Sequence, residues 1–197
     1  MSEILVLYYS RTGNTEALAR AVCEGVDGVP GMASRLRTVP PVTAVSEASA
    51  DSIPQTGPPY ATSLDLEECA GLILGSPAHF GNMAAPLKHF LDGTGSEWLG
   101  GVLSGKPASA FTSSSSLHGG QESTILSMAL PLLHHGMLYV GLPYSEKALS
   151  STRGGGSPYG VSQVSGGRRG AVLSDEEKVL ARAVGRRVAE IAKRLGD

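Results

Sequence analysis

Ile4-Leu5-Val6-Leu7-Tyr8-Tyr9-Ser10-Arg11-Thr12-Gly13-Asn14-Thr15 is an apolar run that stops abruptly on a hydroxyl-rich loop. Five consecutive residues from Ile4 to Tyr8 with no polar face describe a strand buried on both sides, as parallel strands in α/β proteins are. From Glu16 through Leu18, Ala19, Val22 and Val26 the apolar positions recur at helical spacing, so a helix begins at once, with Asn14 or Thr15 available to cap it. Strand, hydroxyl loop and helix N-terminus in succession make an anion site. Free backbone N–H groups and the positive end of the helix dipole point at one spot, and Ser10, Thr12 and Thr15 add neutral donors. A phosphate suits that spot. An ordinary capped helix after a strand uses the same residues, so the loop alone does not separate the two readings.

What the loop lacks narrows the phosphate. No Lys follows Gly13, which excludes the loop that grips a nucleoside triphosphate with magnesium, and there is no G-x-G-x-x-G dinucleotide fingerprint. The pattern Ser10-x-Thr12-Gly13-x-Thr15 straight after a strand resembles the phosphate loop of flavodoxin-like proteins, which hold FMN largely with hydroxyls and amides.

The same design recurs downstream. Gly71-Leu72-Ile73-Leu74-Gly75 is a second doubly buried strand that halts on the loop Ser76 to Asn82, followed by a helix with apolar Met83, Leu87, Phe90 and Leu91. A third copy runs from Pro107 to Phe111, through the loop Thr112 to Glu122, into a helix from Ser123 to His134. Met32 to Val39 alternates as a strand with neither face cleanly apolar, Leu64 to Glu68 is a brief helix, and Met137 to Val140 is a last strand. The Pro- and Ser-rich stretch 40–63 reads as an exposed loop against a neighbouring subunit, with a short helix from Thr43 to Asp51. Residues 150–170, rich in Gly, Ser and Arg, read as a surface loop across the ligand edge or a subunit contact. A closing amphipathic helix, Ser174 to Leu195, opens on the capping box Ser174-x-x-Glu177. The sum is one α/β domain over residues 1–197, a doubly wound five-stranded parallel sheet in the order 2-1-3-4-5. In that order the strands ending in the three unusual loops stand side by side, where ligands of such sheets bind.

Composition sets the outer limits. The chain has 197 residues, 41% hydrophobic and 17% charged, which describes a folded protein of one domain. A net charge of -2 with no basic run argues against a nucleic-acid binder, and it is less acidic than electron-carrying flavodoxins usually are. Cys23 and Cys69 lack ligand spacing and read as buried thiols, and no metal site is expected. With no signal peptide and no apolar run near the ~20 residues a membrane span needs, the expected location is the cytoplasm.

Six blocks, the first of them within the opening stretch, carry a specific resemblance. Gly75-Ser76-Pro77-x-x-Phe80-Gly81-Asn82-Met83, Phe90-Leu91-Asp92-x-Thr94-Gly95-x-x-Trp98, Gly119-Gly120-Gln121-Glu122-x-Thr124-Ile125, His134-His135-Gly136-Met137 and Pro158-Tyr159-Gly160, with Leu5 to Ser10 before them, run in order over essentially the whole chain. In these blocks the sequence resembles the WrbA family of FMN-dependent NAD(P)H:quinone oxidoreductases. The resemblance implies a flavodoxin-like fold and non-covalent FMN, with NADH or NADPH as co-substrate. It implies ping-pong, two-electron reduction of quinones, and a homotetramer whose active sites form at subunit junctions. Carried over residue by residue, FMN falls to Ser10, Arg11, Thr12, Gly13, Asn14 and Thr15, to Pro77, Ala78, His79, Phe80, Gly81 and Asn82, and to Thr112, Ser113, Ser114, Ser115, Ser116, Leu117, His118 and Gly119. Phe80, Trp98 and His134 would meet the substrates, and His134, which also reaches the flavin site in the family, would be the catalytic side chain. From the residues alone, Trp98 could equally be a core tryptophan and His134 a cation at a helix C-terminus.

The chain departs from the family pattern in places. Thr12 stands where an aromatic is often found, with Arg11 beside it; His79 replaces a commoner Arg; Leu117 and His118 stand among residues that are often glycine. These changes bear on the nicotinamide contact and on the choice between NADH and NADPH. A one-electron carrier without turnover of its own and an FMN-binding accessory or regulatory protein are the alternative functions.

Overall fold

The computed structural model describes residues 1–43, 54 and 56–196. In chain order the elements are β1 (Ser2–Tyr8), α1 (Asn14–Asp27), β2 (Met32–Thr38), α2 (Ser63–Glu68), β3 (Gly71–His79), β4 (Asn82–Met83), α3 (Ala85–Asp92), α4 (Gly95–Leu99), β5 (Pro107–Ser114), α5 (Gln121–His134), β6 (Leu138–Tyr139), α6 (Lys147–Ser151), β7 (Val161–Val164) and α7 (Asp175–Gly196). The short helix expected from Thr43 to Asp51 falls, but for Thr43, outside the described residues.

The sheet runs β2-β1-β3-β5-β6, the order expected, with parallel pairing throughout this path. Two additions were not expected. The two-residue β4 folds back antiparallel on the end of β3. The stretch read as a loop from 150 to 170 contains β7, which pairs parallel with β5 over Phe111 to Ser114, whereas β6 pairs only with Pro107 and Ala108. The last strand position is therefore split, β6 serving its lower half and β7 its upper half, with residues 140–160 making the detour between. Val161-Ser162-Gln163-Val164 escapes a periodicity reading because two of its four buried or half-buried residues are polar.

Strand alternation builds two cores. Ile4, Val6 and Tyr8 face α1 and α7, and Leu5 and Leu7 face the opposite layer with Leu87, Ile125 and Met128. Helices α1 and α7 cross at glycines: a Cβ on Gly25 would lie 2.0 Å from the Arg182 carbonyl oxygen, and one on Gly185 would lie 2.1 Å from that of Val22. Only residues without side chains let the two backbones touch. Strand β2 sits at the edge with largely polar faces, and ion pairs secure it: Arg35 reaches Glu3, Asp65 and Glu68, and Arg37 Nε lies 3.0 Å from Asp65. Both cysteines are free and buried, as expected.

Candidate active site

The first loop leaves its helix end open. Gly13, in the left-handed region at φ 86°, occupies the cap position of α1, and among the described residues no side chain caps this helix. Asn14 and Thr15, the expected caps, are engaged elsewhere. Thr15 Oγ1 shares a buried 2.8 Å hydrogen bond with Ser113 Oγ, which ties the first loop to the third. Ser10 Oγ accepts from the Gly13 N–H at 3.1 Å and shapes the turn. The first N–H groups of α1 are left with no carbonyl of their own helix to pair with, the condition for holding an anion.

The second loop is shorter than the sequence suggests. Strand β3 continues through Ser76, Pro77 and Ala78 to His79, and the chain reverses over Phe80 and Gly81 into β4. Both turn residues have positive φ, 53° for Phe80 and 74° for Gly81, as the type I′ form of a two-residue hairpin requires. Phe80 is thereby lifted clear of the protein, fully exposed. A bulky residue in this conformation costs on the order of 1 kcal/mol and covers no core, which points to a role at the surface it presents. Asn82 is spent locally, its Oδ1 accepting from the Met83 N–H.

The third loop begins later than expected, because β5 runs on to Ser114. Thr112 Oγ1 donates to the Ser76 carbonyl at 2.8 Å, locking the second and third loops in register, so its hydroxyl is structural. Ser114 Oγ donates to the Ser116 carbonyl, and the buried Gln121 amide donates to the carbonyls of Ser116 and Leu117, each at 2.8 Å. Gln121 thus organises the turn that carries Leu117 and His118. The hairpin tip rests on this turn: a Cβ on Gly120 would lie 2.9 Å from the Gly81 Cα.

These contacts bring the three loops into one cleft of about 370 Å³ lined by Arg11, Thr12, Asn14, Pro77, Ala78, His79, Ser113, Ser114, Ser115 and Arg169. Its size is that of small-molecule sites. The lining combines an open helix N-terminus, hydroxyls and three cationic or protonatable side chains with no carboxylate, a donor set suited to a phosphate ester. Phe80 follows directly on the lining residue His79, and the bonds of Ser10 to Gly13 and of Thr15 to Ser113 brace the first loop beside the cleft.

Two expected site residues lie elsewhere in the chain. Trp98 and His134 line a second cavity with Leu91, Thr94, Pro131 and His135. The Trp98 indole donates to the His134 carbonyl at 2.8 Å, and Trp98 is half exposed rather than a core residue. Helix α5 starts beside the cleft and carries His134 to its far end, about 21 Å away for 14 residues. Within one chain, therefore, Phe80 does not share a site with Trp98 and His134. Burial holds the neighbouring His135 below the ordinary imidazole value of 6.5, against the opposing pull of Glu97; its Nδ1 is buried without a hydrogen-bond partner among the described residues, and its Nε2 lies 3.0 Å from Thr94 Oγ1.

The loop after β7 does cross the ligand edge, one of the two readings of residues 150–170, but no residue of it was assigned to the site. Asn14 Nδ2 donates to the Arg168 carbonyl at 2.9 Å and Asn14 Oδ1 accepts from the Ala171 N–H at 2.8 Å, while the Gly170 N–H donates to the Thr12 carbonyl. Arg169 is held between these contacts and joins the cleft. The buried Glu177 anchors the other end: its carboxylate accepts from the N–H groups of Gly155, Val164 and Ser174. The capping box was legible in the sequence, but its reach to Gly155 and Val164 was not.

A split-edge parallel sheet with three strand-end loops meeting at one cleft defines a flavodoxin-like α/β protein. The family model described as NADPH-dependent FMN reductase matches residues 3–146. Proteins named NAD(P)H dehydrogenase (quinone) from Solidesulfovibrio magneticus and Chromohalobacter salexigens are 41% and 43% identical, over 98% and 99% of both chains respectively. The chain belongs to this family of flavodoxin-like oxidoreductases. Among solved structures, a flavodoxin, WrbA-like protein from Agrobacterium tumefaciens superposes with a TM-score of 0.69 at 24% identity, covering 98% of this chain and 99% of that one, a likeness of fold.

Proposed function

We propose that the protein is an FMN-dependent NAD(P)H:quinone oxidoreductase. The observation that carries this reading is the single cleft in which an uncapped helix end, the Ser113 to Ser115 hydroxyls and the main chain of Pro77 to His79 face one another. The first loop would take the phosphate on the N–H groups of α1. Pro77, Ala78 and His79 would offer fixed main-chain dipoles to the ring edge, where negative charge gathers on reduction. Phe80 would bound the space above the ring in which nicotinamide and quinone alternate. When bound, FMN supplies two-electron hydride chemistry; the protein's part is to bind, orient and polarise. The named relatives support the same substrates. Among the described residues no helix is long and apolar enough to cross a membrane. The purified protein should show the two visible absorbance bands of bound flavin, release FMN on heating, and oxidise NADH or NADPH only when benzoquinone is present. A preparation that never binds FMN overturns the proposal, and one that binds FMN without turnover is the one-electron carrier instead.

The reading extends to a homotetramer with sites at its subunit junctions. Leu126, Leu130 and Leu133 form an exposed stripe along α5, at whose end the half-exposed Trp98 donates to the His134 carbonyl. A helix apolar on both faces calls for cover on both. A second copy seated on this stripe would bring Trp98 and His134, which lie at the end of α5 away from the cleft in their own chain, to a neighbour's Phe80. Light scattering should give four chains, and Leu130→Glu should dissociate them and lower quinone turnover while FMN stays bound. A monomeric wild-type protein with full activity refutes the assembly.

A further inference from the structure

We infer that Arg169 adds to Arg11 a second positive charge brought from outside the phosphate loop, so that the cleft selects a phosphate dianion over the same flavin without one; the inference rests on the reading of the cleft as an FMN site. Hydroxyls and amides alone hold a phosphate without neutralising it. Here the cleft lining includes two guanidinium groups, Arg11 and Arg169, and no carboxylate. Among the described residues neither arginine takes part in an ion pair. Arg11 lies within the first loop itself, but Arg169 arrives from more than 150 residues away, and the structure holds it there by main-chain contacts on both sides.

Asn14 clamps the Arg168 carbonyl and the Ala171 N–H, and the Gly170 N–H donates to the Thr12 carbonyl at 2.9 Å. At the base of the same loop both the N–H and the hydroxyl of Ser165 donate to the Ser114 carbonyl, at 2.8 and 3.0 Å. The segment 165–171 thus bridges the first and third loops. Asn14 is 6% exposed, and both polar atoms of its side chain bond within this latch. Arg169 itself is exposed, with its guanidinium free to turn into the cleft. A pre-ordered main chain lowers the entropy cost of fixing that side chain, and a planar fork matches phosphate oxygens in pairs.

The test is a set of flavin-fluorescence titrations with FMN and with riboflavin, at low and high salt, on the full chain. Arg169→Ala is expected to weaken FMN binding by about ten- to hundredfold. It should leave riboflavin binding unchanged and flatten the salt dependence of FMN binding, with Arg169→Lys recovering part of the loss. Arg194→Ala, near the far end of α7, removes the same charge and should match the wild type. The assignment is overturned if Arg169→Ala binds FMN like the wild type, or if it loses FMN and riboflavin equally, which would make Arg169 a residue of loop shape. A wild-type protein that binds neither flavin overturns the cleft reading and Arg169 with it.

Discussion

Replacing Glu177 by Ala should unfasten the detour between the two halves of the last strand position. The Glu177 carboxylate, 3% exposed, accepts from Val164 N and Ser174 N at 2.9 Å and from Gly155 N at 3.2 Å. Each bond to a charged acceptor contributes ~1.5–3 kcal/mol, and removing the acceptor strands donors inside the protein. Water admitted to the space left by the side chain recovers part of that, so the expected loss is about 3–5 kcal/mol, at the upper end of what single substitutions do. For a chain of this size each kcal/mol lowers the midpoint by ~2–4 °C, which gives about 6–20 °C in a thermal melt. Glu177→Gln should cost less, about 1–2 kcal/mol, because the amide oxygen still serves two donors while its NH₂ confronts a third. Calorimetry or urea titration of the three proteins reads the order directly. A loss under about 1 kcal/mol for the alanine variant would refute the view that this carboxylate holds the segment, and with it the account of how the latch over Asn14 is supported.

Three further outcomes follow from the same geometry. Gly185→Ala should destabilise by about 2–4 kcal/mol, since its Cβ would meet the Val22 carbonyl oxygen at 2.1 Å and the crossing of α1 and α7 must widen; an unchanged urea midpoint contradicts the close approach. Phe80→Gly removes a side chain that covers no core from a left-handed position, so stability should hold or rise by up to about 1 kcal/mol while quinone turnover falls; a stability loss would mean that Phe80 packs after all. His135 is held neutral by burial, so the unfolded chain takes up its proton first. Its contribution is full above the ordinary value of 6.5 and is lost as pH falls toward the lowered folded value. Urea midpoints should drop on acidification from neutral pH, and His135→Asn should flatten that slope.

Much of the architecture was open to a reader of the chain. The doubly apolar runs at Ile4 to Tyr8 and Gly71 to Gly75, each ending on a hydroxyl loop before a periodic helix, are local patterns, and local patterns dictate strands, helices and their parallel order. The three loops of the cleft were legible for the same reason, each directly following a buried strand.

What tertiary structure decided has no local signal. Ser162 and Gln163 form a strand because β5 offers them partners at Thr112 and Ser113. Asn14 looks like a helix cap and is in fact a clamp on residues 168–171, which selects, of the two positions open to the Gly- and Arg-rich tract, the one at the ligand edge. Trp98 and His134 belong to motifs that suggest a common pocket with Phe80, yet the length of α5 sets them apart within one chain. A sequence records which groups are able to hydrogen bond. Only the packed chain settles which of them are already used and which still face a ligand.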